Sequence, residues 1–359
     1  MTPENLYIHV PFCNGKCDYC AFYSEAEVKD DLAEQWLKKI SSDLLEHDLS
    51  VPLKTIYLGG GTPTALPPEI LRGLMKLIQS LPVVPDVEIT SECNPGSLTQ
   101  EKAEIISGTI NRVSMGVQSF QPDLLKKIGR RTSPEQVDRT VDFLRNISGI
   151  KRIGMDLICA LPDQTLQQWE ADLTRAVSYH PEHISAYMLI PEPGTPFTGK
   201  YGEEPPLSED LQAEMWELAG KFLDSHGMPR YEISNHALPD GECRHNQNIW
   251  HGESYLGLGP SACSFDGANR FTNAAPLSEW LKGASPEWDI VTPDIREREV
   301  FMMGLRTVRG WTKNEFNWQK FLPELQQLET DGLISLSENV VKPTKQGLLC
   351  WNTIAETLI

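Results

Sequence analysis

Leu6-Tyr-Ile-His-Val10-Pro-Phe-Cys13-Asn-Gly-Lys-Cys17-Asp-Tyr-Cys20 carries the strongest structural signal in this chain. A β-rich run over 6–10 leads straight into three cysteines spaced C-x3-C-x2-C. Such a loop can bring three thiolates to one cluster. With no fourth ligand nearby, one iron of a [4Fe–4S] cluster stays open to an exogenous ligand. Structural zinc is the competing reading, but it usually takes four protein ligands and often a second C-x2-C pair. The sequence has no such pair.

Outward from this loop, β-rich runs alternate with amphipathic stretches. The runs cover 6–10, 54–58, 87–92, 112–117, 152–158 and 183–190. Between them Leu32, Trp36, Leu37, Ile40, Leu44 and Leu45 recur at helical spacing, as do Val137, Val141 and Leu144, and Trp169, Leu173 and Val177. A helix over 68–81 opens on proline, and a short one follows Thr99. Six successive βα units predict a parallel sheet with right-handed crossovers. Six are too few for an eight-unit barrel, so an open (β/α)6 partial barrel and a doubly wound sheet both fit. Either form gathers its functional groups at the C-terminal ends of the strands. Proline-rich breaks at 191–196 and 203–206 end this unit. The expected division is a core over 1–200, a middle segment over 201–292 and a third unit over 293–359. In the third unit, helices around 300–308 and 316–331 precede a hairpin, an order that resembles a winged helix.

The chain has 359 residues and a formal charge of −18. That balance repels phosphate backbones and argues against broad nucleic-acid binding. Basic and acidic residues cancel over 300–359, whereas a winged helix that reads DNA should be locally basic. No run approaches the roughly 18 apolar residues of a membrane span, and the N-terminus lacks the pattern of a signal peptide. A cytosolic location is therefore expected. Eight cysteines are too few for a disulfide scaffold.

Leu58-Gly-Gly-Gly-Thr-Pro-Thr64 follows the second run. It has neither the lysine of a P-loop nor the spacing of a dinucleotide fingerprint, and alone it can be a tight turn. Polar residues also mark later strand ends: Glu92, Gln118, Asp156 and, just beyond its strand, Arg130. Each is costly there unless it is paired, caps a helix or is functional. The cysteine loop, the Gly-Gly-Gly-Thr-Pro stretch and the strand-end set together resemble the radical S-adenosylmethionine (SAM) superfamily. That resemblance implies a [4Fe–4S] cluster on Cys13, Cys17 and Cys20 whose open iron chelates SAM, and cleavage of SAM to a 5′-deoxyadenosyl radical on reduction. It also implies backbone contacts from Gly60, Gly61 and Thr62 to SAM, and side-chain contacts from Glu92, Gln118, Arg130 and Asp156. Tyr7, Tyr19 and Ile190 match further SAM contacts in the oxidase branch. His9 fits the cluster, the substrate or plain strand packing equally well.

Within the superfamily the chain resembles the oxygen-independent coproporphyrinogen III oxidases and the related heme chaperones. Phe22 stands where the oxidases carry a fourth cysteine, and the cysteines begin at position 13 without the oxidases' preceding extension. Tyr231-Glu-Ile-Ser-Asn235 and His245-Asn-Gln-Asn-Ile-Trp250 resemble chaperone motifs, although Ile249 replaces a tyrosine of the second. The resemblance makes His245 the candidate axial ligand to heme iron, since neutral imidazole is a common haem donor. The expected partners are heme, or a related tetrapyrrole, and a recipient hemoprotein; a homodimer stays open. The competing expectation is a radical SAM enzyme that decarboxylates, methylates or opens a tetrapyrrole.

Overall fold

The computed structural model describes residues 2–359. Six parallel strands run in consecutive spatial order: β1 (Asn5–Val10), β2 (Leu53–Gly60), β3 (Val83–Cys93), β4 (Arg112–Gln118), β5 (Arg152–Cys159) and β6 (His183–Met188). A doubly wound sheet would reverse its order partway, so the consecutive order selects the open partial barrel. The crossover helices are α1 (Asp30–Leu45), α2 (Pro68–Gln79), α3 (Gln100–Ile106), α4 (Pro122–Lys127), α5 (Pro134–Asn146) and α6 (Leu166–Ser178). Their starts are written in the sequence. Thr99 caps α3, and reciprocal Ser133–Gln136 and Thr165–Gln168 bonds cap α5 and α6, each cap contributing about 1 kcal/mol.

Side chains alternate along each strand, and here the two faces differ in kind. Leu6, Ile8 and Val10, Ile56 and Leu58, and Val113 pack outward in one apolar core with Trp36, Leu71 and Leu74 from the helices. Met115, Met155, Leu157 and Ile184 pack outward in a second, around Trp169 and Met215. Both tryptophans are fully buried because their indole N–H groups find carbonyls, those of His9 and Met215. The opposite positions make a polar lumen: Tyr7 and His9, Thr55 and Tyr57, Glu88 and Glu92, Arg112 and Ser114, Asp156, Ser185.

The middle segment does not stand apart from this sheet. After α7 (Pro196–Tyr201) and α8 (Glu209–Ser225), β7 (Asn235–Ala237) pairs antiparallel with β6. Helix α9 (Arg244–Trp250) follows, and β8 (Tyr255–Leu258) pairs parallel with β1. Strands β9 (Cys263–Phe265), β10 (Arg270–Thr272) and, after α10 (Leu277–Leu281), β11 (Glu287–Asp289) extend that edge. The Tyr231–Asn235 motif contributes only its last residue to a strand, β7. Before it the backbone turns, with Tyr231 N–H bonding Asn235 O and Ser234 N–H bonding the Glu232 carboxylate.

The C-terminal unit is α11 (Pro293–Gly304), β12 (Trp311–Thr312), α12 (Leu322–Thr330), the hairpin β13 (Ile334–Leu336) and β14 (Val340–Pro343), then α13 (Lys345–Leu349) and α14 (Trp351–Leu358). Its small sheet has the order β12-β14-β13. The expected helix over 316–331 begins only at Leu322, where Pro323 suits the first turn and a single 3₁₀ turn precedes it. Among the described residues no helix is long and apolar enough to cross a membrane.

Candidate functional site

At the C-terminal ends of the strands lies a cavity of about 650 Å3. Cys13, Cys17 and Cys20 all line it, with Tyr19, Gly60, Gly61, Thr62, Glu92, Gln118, Arg130, Asp156 and Ile190. The sequence scatters these residues over 178 positions; the parallel register brings them together. Tyr7 lies below the lining, its hydroxyl 3.1 Å from His9 Nδ1 and its ring against Tyr57.

The cysteine loop is held from both sides. Cys13 N–H bonds Glu25 O, Asp18 N–H bonds Ile128 O, and the Cys13 thiol sits 3.4 Å from Thr62 Oγ1. Arg130 donates to Cys17 Sγ at 3.5 Å and to the carbonyl of Gly116. All three thiols are free of disulfides. Among the described residues no group of His, Cys, Asp and Glu is tight enough for a single metal ion. Three free thiols around one cavity, with a guanidinium beside one of them, suit a larger anionic cluster instead. A [4Fe–4S] cluster fits this donor set, leaving one iron for a ligand in the cavity.

The glycine loop is shaped by close approach. Gly60 has φ +97°, and a Cβ there would meet the His9 ring; at Gly61 it would lie 2.6 Å from both Val10 O and Phe12 O. His9 is thus a packing residue. Its Nε2 is 2.9 Å from Tyr23 O, so that nitrogen carries the proton and Nδ1 accepts from Tyr7. Burial lowers its pKa to about 4.

Glu92 accepts from Tyr57 OH and Gly60 N–H, each at 3.1 Å. Burial, and then the Asp156 charge, raise its pKa to about 7. Asp156 is held by Ser185 Oγ at 2.7 Å and Ser114 Oγ at 3.1 Å, while burial raises its pKa. Gln118 follows a register shift between β4 and β5 and adopts φ +71°, a left-handed conformation rare for a residue with a side chain. Two acidic acceptors, a guanidinium, an amide and exposed backbone can together hold a zwitterionic amino acid and a ribose. Burial works against the charge of Arg130, but Tyr19 and Cys17 outweigh it and hold the guanidinium ionised. Around the mouth Phe22 and Ile190 stand 69% and 67% exposed, with Tyr187 beside them.

His245 is not part of this cavity. It sits on α9 at the floor of the lumen and is 3% exposed, with Nδ1 2.7 Å from Thr55 Oγ1 and its ring 5.1 Å from that of Tyr57. Thr55 OH donates to Asn5 Oδ1, so it accepts the His245 Nδ1 proton. Glu88, fully buried, takes the backbone N–H of both Arg244 and His245 and fixes the start of α9. Burial lowers the pKa of His245 to about 4. An axial ligand needs an accessible nitrogen, and this conformation seals the ring.

Reading the strand ends alone missed Tyr57, Ser114 and Tyr187, which also line the cavity. For Ser114 the signal was the period-2 alternation of polar and apolar residues in Arg112-Val-Ser-Met-Gly.

Comparison with known proteins agrees with this architecture. Residues 7–176 match the Radical SAM superfamily and 291–350 the HemN C-terminal domain. The coproporphyrinogen III oxidase HemN of Escherichia coli, a radical SAM enzyme, superposes with a TM-score of 0.86 at 22% identity, over 99% of this chain and 90% of its own. The heme chaperone HemW of Escherichia coli is 36% identical over 100% of this chain and 99% of its own length. The heme chaperone HemW of Bacillus subtilis is 34% identical over 98% of each. Identity at that level across the full length of both partners, on this fold, leaves one assignment: the chain belongs to the HemW family of radical SAM proteins.

Proposed function

We propose that the protein binds heme and passes it to recipient hemoproteins, using a barrel that holds a [4Fe–4S] cluster and SAM. The observation that carries the reading is full-length similarity to chaperones of that name, combined with three free thiols ringing one cavity. Cys13, Cys17 and Cys20 would hold the cluster, with Arg130 balancing its charge beside Cys17. Gly60, Gly61 and Thr62 would present backbone to SAM. Glu92 would accept from its amino group, and Gln118, Arg130 and Asp156 would meet its carboxylate and ribose. Tyr7, below the lining, and Tyr19 and Ile190, at its edge, complete the proposed SAM set. When bound and reduced, the cluster supplies one electron to the sulfonium of SAM. The chain's own part is to orient SAM and exclude water from it.

For heme, His245 remains the proposed axial ligand on condition that α9 leaves the lumen. While α9 is seated, Nδ1 carries the proton given to Thr55 and the lone pair lies on Nε2; release of the helix breaks that bond and would expose Nε2. Eight unpaired cysteines favour a cytosolic location, where thiols stay reduced. Hemin titration of the cluster-loaded protein tests the reading. Saturable one-to-one binding supports a carrier. Its absence, with a tetrapyrrole product formed from SAM and reductant, would support an enzyme.

A further inference from the structure

The lumen carries one cation that the site above does not use. Arg112 opens β4, is 2% exposed, and forms no ion pair among the described residues; its Nε lacks a hydrogen-bond partner. The register sets it beside Thr90 on β3 and Arg152 on β5. One inward step above it, Ser114 lies beside Glu92 and donates to Asp156. Arg152 is already committed, its Nη1 3.0 Å from Glu88. The Arg112 guanidinium reaches across to β5, where a Cβ on Gly154 would stand in ordinary contact, 3.6 Å from Nη2. Burying a cation costs several kcal/mol and persists only where opposite charges surround it.

We propose that Arg112 is a positioning residue for the cofactor site, a fixed positive charge under Glu92 and Asp156 that keeps both as carboxylates able to accept from SAM. The proposal rests on the reading that this cavity binds SAM. Glu92 faces Tyr7 from β1, Tyr57 and Gly60 N–H from β2, and Asp156 from β5. Asp156 faces Ser114, Ser185 and Tyr187, with Tyr19 from the cysteine loop and Arg130 from the segment after α4. Arg112 itself meets Glu88 and Tyr57, then Cys243, Tyr231, His183 and Arg152. Arg130 cannot replace it, being tied to Cys17 and to the Gly116 carbonyl. Without Arg112, two carboxyl groups would share a buried space with less positive charge, and one would hold its proton.

The test is SAM affinity of cluster-loaded protein from pH 5.5 to 8.5, for the wild type, Arg112→Met, Arg112→Gln and Arg112→Lys. Wild-type affinity should rise through a midpoint near the Glu92 value of about 7. Both neutral variants should move that midpoint up by about one unit, which is roughly 10-fold weaker binding at pH 7, with recovery in alkaline buffer. Arg112→Lys should keep the wild-type profile. Should Arg112→Met fail to fold, Arg112→Gln carries the comparison. An unshifted midpoint in a folded neutral variant, or a loss equal at every pH, overturns the proposal. A wild type that binds no SAM at all overturns the SAM reading instead.

Discussion

Arg306 Nε stands 2.8 Å from a carboxylate oxygen of Glu232, across the seam between the C-terminal domain and the barrel. Glu232 has no exposed surface, and the contact lies off the hydrogen-bond axis, so it acts as an ion pair. The same guanidinium sits 5.2 Å from the Trp250 ring and 5.5 Å from that of Trp351. The Tyr231–Asn235 and His245–Trp250 motifs therefore meet at a structural joint. Arg306→Ala strands a buried carboxylate and should cost about 3 kcal/mol. Urea unfolding measures it; a loss under about 0.5 kcal/mol, the level of an exposed pair, would contradict the joint.

Cys17→Ala should abolish cluster absorbance and leave the circular dichroism of a folded protein, because Cys17 itself belongs to none of the barrel's apolar clusters. A full cluster in that variant would refute the ligand assignment.

Gly61→Val should lower both SAM affinity and cluster loading. Its Cβ would press on the carbonyls of Val10 and Phe12, which lead into Cys13, so the damage spreads to the cysteine loop. Normal loading with weakened SAM binding would show that the loop yields locally.

Glu92→Gln should weaken SAM binding about 10- to 100-fold above neutral pH, the usual worth of a hydrogen bond to a charged group. It should also remove the dependence on pH near 7. The sign follows from a pKa raised to about 7 by burial. The acceptor form is present above that value, so wild-type affinity rises with pH. In the empty protein the same shift works the other way: ionising Glu92 costs stability as pH climbs from the ordinary carboxyl range to about 7. Chemical denaturation of the apoprotein at pH 5 and pH 8 checks this, and Glu92→Gln should narrow the difference.

The barrel was legible because β-runs and helical spacing alternated six times, and because Glu92, Gln118 and Asp156 were polar where apolar residues were expected. The cavity gathers all three. Less legible were the edge strands over 255–289. At three or four residues each they are too short for a period to register; β8 is decided by pairing with β1, and the others by pairing outward from β8. His245 shows the other limit. Its motif marks it as special, but spacing does not reveal that Glu88, 157 residues upstream, pins its backbone inside the lumen.

Heme binding by the cluster-bearing chain is tested by a hemin titration followed in the Soret region, on anaerobically reconstituted protein beside His245→Ala. The wild type should bind saturably at one to one, and the variant more weakly. Binding that never saturates in the wild type would contradict the carrier, and equal binding by both proteins would contradict His245 as the ligand.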